Sequence, residues 1–344
     1  MAVLALAFAL ASQPYTIQDE TAEGVWYVVL RDESNGVEAS IAPAKGGEMA
    51  SFRVRFQNRW IETLYRARDY SGKPGWTGKA PFLWPATGRN FPRDVKANEE
   101  AKGSSYDWNG KRYPMPIHGF VRDMEWKQVS RNADARSARL RLSLDDSADS
   151  RQFYPYGFHL MVDYVLSDGR ISVEYTIGAD ASNAQPMPFS AGNHITFVTP
   201  LVPGSDPLAM RFETPSSVEF LKGAGGVPTG ERRAKFWAQP IRLAEFPANL
   251  AISLGGYSIP EPFMKLSDPA GLTLVMRQRA DSVPPDPVIR FNVWGDPKAG
   301  YFSPEPWVGL QNSFNLRQGL VSLAPGKSWR WRFDLSALTP SSGR

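Results

Sequence analysis

The sequence predicts an all-β fold of large antiparallel sheets, and three observations carry that reading. Glycine and proline number 29 each among 344 residues, so the chain is broken too often for long helices. Between the breaks, apolar residues recur at every second position, as a strand with one buried face demands. A chain this long built from such strands must stack two large sheets or close a barrel, because an open twisted sheet of so many strands is unusual. A large sandwich is the natural outcome.

Taken in order, residues 2–11 read AVLALAFALA, too short to cross about 30 Å of hydrocarbon as a helix. The run ends Ala9-Leu10-Ala11 before Ser12-Gln13-Pro14, a small-x-small pattern like a secretory cleavage site, although no Lys or Arg precedes it. Residues 1–11 are read as a signal peptide, the alternative being an apolar strand or helix packed on the domain. Export would place the protein in a periplasm or outside the cell; without it the protein is cytoplasmic. No other apolar run approaches the roughly 20 residues of a span, so a soluble protein with no membrane partner is expected.

From Val25 onward strand-like segments follow one another without a proline-, serine- or charge-rich linker, and residues 12–344 read as a single domain. Leu140, Leu142 and Leu144 alternate with Arg139, Arg141 and Ser143. Residues 158–166 and the alternating Ile171, Val173, Tyr175 and Ile177 flank Ser167-Asp168-Gly169-Arg170, where Asp-Gly favours the positive φ of a hairpin turn. Trp329, Trp331, Phe333 and Leu335 face one way, with Arg330, Arg332 and Asp334 opposite. Polar stretches at 70–79, 90–105 and 223–233 are expected to be loops.

Composition narrows the function. There are 39 Lys and Arg against 35 Asp and Glu, a net charge of +4. That charge is small and scattered, unlike the basic stripe of a nucleic-acid binder. With no cysteine, thiolate metal sites, iron–sulfur clusters, disulfides and cysteine nucleophiles are excluded. Neither the redox compartment nor the oligomeric state is set by these numbers.

The chemistry rests on few residues. Histidine occurs three times. His118, in Pro116-Ile117-His118-Gly119, and His194, in Gly192-Asn193-His194-Ile195, look like strand-end residues at a sheet mouth, the latter opening a strand after a turn. His159 sits mid-strand and reads as a structural or surface residue. Glu305 stands between Pro304 and Pro306 and precedes Trp307, a rigid acid beside an indole that can desolvate it and stack on a sugar ring. Taken alone, this triplet also fits a turn acid beside a core tryptophan, and Arg89, in Thr87-Gly88-Arg89-Asn90, also fits a surface arginine. His118, His194 and Glu305 have ligand chemistry, but their spacing matches no compact metal motif.

Four blocks in order give these residues a context: PFLWPATGR at 81–89, YPMPIHGFVR at 113–122, YPYGF at 154–158 leading to MPFSAGNH at 187–194, and FSPEPWVG at 302–309. Together they resemble the aldose 1-epimerase (galactose mutarotase) family, in the branch of LacX-like bacterial homologues. The resemblance implies a galactose-mutarotase-like β-supersandwich with a sugar site on a concave sheet face. It implies Glu305 as general base, His194 as general acid, and Arg89, His118 and Trp307 as substrate-binding residues, with no cofactor and no metal. An imidazole and a partly desolvated carboxylate suit reversible ring opening near neutrality. The family's substrate-gripping aspartate falls near residues 252–257, where ISLGGY holds no acid. A non-catalytic carbohydrate-binding protein on the same fold is the alternative. So is a hexose-phosphate epimerase, with Arg89, Arg93 and Arg122 as candidate phosphate holders.

Overall fold

Ser167 pairs with Arg170 across a two-residue turn in which Asp168 and Gly169 take φ of 49° and 69°. This is the primed geometry that matches right-twisted strands. The computed structural model describes residues 14–71, 76–92, 94–95, 104–237, 239–284 and 289–340. The expected signal peptide at 1–11 lies outside the described residues, as does Arg93.

The hairpin strands Phe158–Ser167 and Arg170–Ala179 belong to a nine-stranded antiparallel sheet. Its order is Ile241–Arg242, Arg211–Glu213, Phe263–Ser267, Thr273–Ala280, Ser328–Leu338, Arg170–Ala179, Phe158–Ser167, Ala138–Asp145 and Lys127–Ala133. Leu160, Val162, Tyr164, Ile171, Val173, Tyr175, Trp331 and Phe333 all point inward and are buried. An eight-stranded sheet lies against that face. It runs Pro228–Ala234, Val218–Lys222, Ile252–Gly255, Arg290–Asp296, Tyr301–Val308, Ala191–Asn193 and Phe82–Leu83, with Phe197–Val198 also paired to Tyr301–Val308. The two sheets meet through aromatic rings: Phe82 stacks on Tyr175 at 3.9 Å and 9°, and Tyr175 stacks on Trp331 at 5.5 Å. A five-stranded meander, Tyr15–Ala22 through Arg59–Glu62, adds a further layer whose Phe52 and Val54 join the same core. Among the described residues, no helix is long and apolar enough to cross a membrane.

Three local expectations need correction. Part of the stretch 223–233 is strand: Pro228–Ala234 pairs with Val218–Lys222 at the sheet edge. Its residues are exposed on both faces, so no alternation marks it. Ser143 is buried although Arg139 and Arg141 are exposed, and the register shifts between Arg141 and Leu142. His118 sits in a turn with φ 68°, and His194 directly follows a strand, because Ala191–Asn193 is itself paired on both sides. His159 lies exposed beside Asp145.

Candidate active site

The strand Tyr301–Val308 divides its side chains between two faces. Phe302 enters the core against Phe212 at 5.5 Å and Phe246 at 4.9 Å. Ser303, Glu305 and Trp307 take the opposite face. On one side the strand pairs continuously with Arg290–Asp296. On the other, Phe197–Val198 meets Phe302 and Tyr301, Ala191 and Gly192 meet Val308 and Trp307, and no ladder pair is described for residues 303–306. Pro304 and Pro306 occupy this break, where a missing N–H removes nothing from a ladder. The break also admits His194.

His194 is anchored by its N–H, which donates to the Pro81 carbonyl at 3.0 Å. Its Nε2 lies 3.8 Å from Glu305 Oε1, too far for a hydrogen bond and close enough for both groups to reach one small ligand. Its Nδ1 faces Thr196 Oγ1 at 3.5 Å, and that oxygen accepts from Ser303 Oγ at 2.8 Å. The half-buried indoles of Trp76 and Trp294 flank the ring at 6.2 and 5.8 Å.

His118 approaches edge-on, with its ring 5.2 Å from His194 and 5.9 Å from Trp307. A double clasp holds it: its N–H donates to the Gly88 carbonyl at 3.0 Å, and the Gly88 N–H donates to Nδ1 at 3.0 Å. Because a backbone N–H can only donate, Nδ1 carries the lone pair and the neutral ring's proton sits on Nε2. The turn demands a close backbone approach next door, since a Cβ on Gly119 would lie 1.9 Å from the Trp84 carbonyl oxygen. Arg89 follows Gly88 at the same mouth, half-buried, and its charge acts on the His118 ring.

Glu305 is 1% exposed and held at both oxygens. Asn292 Nδ2 donates to Oε1 at 3.1 Å and Trp307 Nε1 donates to Oε2 at 3.1 Å. Asn292 Oδ1 accepts from Lys222 Nζ at 2.9 Å and from Ser253 Oγ at 3.1 Å. Arg290 Nη1 donates to Ser253 at 2.7 Å, and its guanidinium lies 4.8 Å over the Trp307 ring. Sequence reasoning missed Lys222, Ser253, Arg290, Asn292, Trp76 and Trp294. The signal available was the alternation Arg290, Asn292, Trp294 around Phe291 and Val293, but polar residues at every second position ordinarily mark a solvent face.

Burial dominates the electrostatics. It pushes the Glu305 carboxyl up to about 8 against the Asn292 hydrogen bond, the Lys222 charge, the Trp307 hydrogen bond and the Arg290 charge. It pulls His194 down to about 4 and His118 well below the usual imidazole range. Lys222 falls to about 7 and Arg290 to about 9, each from desolvation opposed by Glu305. At neutral pH the Glu305–His194 pair therefore holds one proton, and it rests on Glu305.

Of the five residues singled out by sequence, the structure brings His118, His194, Glu305 and Trp307 into contact range and sets Arg89 beside His118. The sequence signature of the aldose 1-epimerase family matches residues 28–235, more than half of the chain. The chain belongs to the aldose 1-epimerase family. The matched segment contains Arg89, His118 and His194, and Glu305 lies beyond it. A protein of Escherichia coli (strain K12) named "Putative glucose-6-phosphate 1-epimerase" is 28% identical over 103 residues, 29% of this chain and 34% of its own length. Three solved structures share the fold of this family member. A galactose mutarotase-like protein from Clostridium acetobutylicum has a TM-score of 0.74 at 18% identity, covering 96% of this chain and 100% of its own. A protein from Synechocystis sp. PCC 6803 gives 0.72 at 22% identity, covering 97% and 100%. Galactose 1-epimerase from Lactobacillus acidophilus NCFM gives 0.69 at 13% identity, covering 95% and 99%. The expected β-supersandwich is thus the observed architecture.

Proposed function

We propose that the protein is an aldose 1-epimerase that interconverts the α and β anomers of an aldose, with Glu305 and His194 as its two proton carriers. The observation that carries this reading is the 3.8 Å separation of His194 Nε2 and Glu305 Oε1. The two oxygens that exchange protons in mutarotation, the anomeric hydroxyl and the ring oxygen, are bonded to one carbon, so their partners must also be near neighbours. Ring opening proceeds from the form in which the pair's single proton has passed from Glu305, its resting carrier, to His194: the anomeric hydroxyl gives its proton to the Glu305 carboxylate while the imidazolium delivers its own to the ring oxygen. The C1–C2 bond of the open aldehyde rotates, and closure reverses both transfers. Nothing is consumed, since the pair ends with the proton it began with.

The other side chains fit binding roles. His118 presents Nε2–H as a donor to a sugar oxygen, and Arg89 adds donors at the mouth. Trp307 holds the carboxylate by its indole N–H, while Trp76 and Trp294 offer the flat apolar faces against which a pyranose ring packs. A hexose-phosphate substrate is the second reading. The name of the Escherichia coli relative favours it, and so do the charges of Arg89 and Arg122 that reach His118.

Polarimetry on freshly dissolved α-D-glucose, α-D-galactose and α-D-glucose 6-phosphate tests both. Wild type should accelerate mutarotation of at least one. Glu305→Gln should lose roughly 10²–10⁴ of kcat, the usual contribution of a positioned acid–base group. Binding of these sugars without acceleration would make the protein a carbohydrate-binding module instead.

A further inference from the structure

Ser253, Asn292 and Glu305 are direct cross-strand neighbours on three adjacent strands, Ser253 opposite Asn292 and Asn292 opposite Glu305. Lys222, at the end of the next strand and two residues past the Phe220 that faces Ser253, reaches over to place its ammonium on Asn292 Oδ1. The ammonium has protons to give and no lone pair, so only the oxygen of the Asn292 amide can face it. The Ser253 hydroxyl, held by Arg290, donates to the same oxygen. With its oxygen fixed by two donors, the amide must turn its NH₂ toward Glu305. One of the two donors that hold the carboxylate is thereby set by a cation two side chains away.

We infer that Lys222 is a positioning residue for Glu305: its ammonium fixes the Asn292 amide, and the amide fixes the carboxylate against His194. This rests on the acid–base role proposed for Glu305 and extends it to a residue that never touches the reacting atoms. Without the ammonium, the Ser253 hydroxyl alone holds the Asn292 oxygen, and the amide turns more readily about its terminal bond to present that oxygen to Glu305, where it repels the charged form and releases one side of the carboxyl group. The other charged groups acting here are Arg290 on Glu305, Glu219 and Arg290 on Lys222, and Arg122 on His194. All of them are retained when Lys222 is changed.

Two readouts test this on the full chain. The first is the infrared titration of the Glu305 carboxyl band, isolated by subtracting the Glu305→Gln counterpart of each protein. In Lys222→Met the protonated band should persist to higher pH than in wild type, because the carboxylate loses the Asn292 donor and a nearby cation that itself gives up its proton from about pH 7. Lys222→Arg should restore the wild-type position. In an Asn292→Ala background the Lys222 change should have a much smaller effect, because the link is gone. The second readout is mutarotation of whichever of the three sugars wild type accelerates, where kcat should fall on the order of tenfold or more with KM changing less. An unshifted carboxyl band in Lys222→Met, or effects of Lys222→Met and Asn292→Ala that simply add, overturns the proposal. Should Lys222→Met fail to fold, Lys222→Leu, which likewise has no donor, carries the same comparison. If wild type accelerates none of the sugars, the epimerase reading falls, and the infrared titration still decides the role of Lys222.

Discussion

Glu305 and His194 move in opposite directions from their usual values for one reason, loss of water around both charged forms. The pair titrates as a unit, so its behaviour with pH belongs to both residues. The active form holds one proton. It gains a second as His194 charges near pH 4 and loses its last as Glu305 ionises near pH 8. The kcat/KM profile of the free enzyme should therefore be a bell between those limbs, and a profile flat through pH 9 would remove Glu305 from the chemistry. The same shift appears in stability. A carboxyl raised from 4.5 to about 8 on folding makes the native state bind more protons than the unfolded state across that window. Wild type thus loses stability as pH rises through it. The amide of the Glu305→Gln variant cannot titrate, so that variant should melt increasingly above wild type from pH 5 to pH 9, by a few kcal/mol at about 1.4 kcal/mol per pKa unit. Parallel melting curves at all pH values would contradict the buried-acid assignment. Glu305 was singled out because prolines flank it and a tryptophan follows, but alone that triplet also fitted a turn acid, and its role came from the resemblance of the block to the family's. Lys222 and Asn292 were not, since a lysine or an asparagine on a strand looks the same whether its face meets water or a walled cleft.

Strands and turns differ in how openly they announce themselves. The Asp168-Gly169 hairpin and the strands around it were readable because one face is buried and the turn needs positive φ at both central residues. The edge strand Pro228–Ala234 was not, because only its backbone is paired and both of its faces are exposed. The turn that carries His118 lies between these cases. Its proline and glycine were noticed, but its left-handed backbone at His118 follows from contacts with residues 84–88 that are remote in sequence. Gly119 has φ 77°, and the space for its Cβ is filled by the Trp84 carbonyl at 1.9 Å. A methyl group there must push the turn away from the 84–88 segment and open the clasp on His118 Nδ1. Gly119→Ala should therefore cost well over about 1 kcal/mol of stability and lower kcat/KM, seen as a lower melting temperature together with slower mutarotation. An alanine variant with wild-type values for both would show that the clasp does not place His118.

On the scale of the whole molecule, the site depends on how the two large sheets are joined. The floor of the cleft is one face of the eight-stranded sheet, and the other face of that sheet is pressed on the nine-stranded sheet through Phe82, Tyr175 and Trp331. Tyr175 is 2% exposed and does two things at once. Its ring is the middle of the stack, and its hydroxyl lies 3.4 Å from Asn193 Nδ2, one residue before His194. Asn193 also donates to the Ala80 carbonyl at 2.9 Å, so losing the hydroxyl leaves that amide with its better partner. Apolar contact should consequently outweigh the polar one. Tyr175→Phe keeps the stack and should cost about 1 kcal/mol, the net worth of one hydrogen bond. Tyr175→Ala leaves a ring-sized cavity between the sheets and should cost about 3–5 kcal/mol. Denaturant midpoints of the two variants separate these effects, and mutarotation measured well below the midpoint shows whether the cleft survives. Equal losses for Phe and Ala would mean that the hydroxyl, and not the stacked rings, ties the catalytic sheet to the rest of the fold.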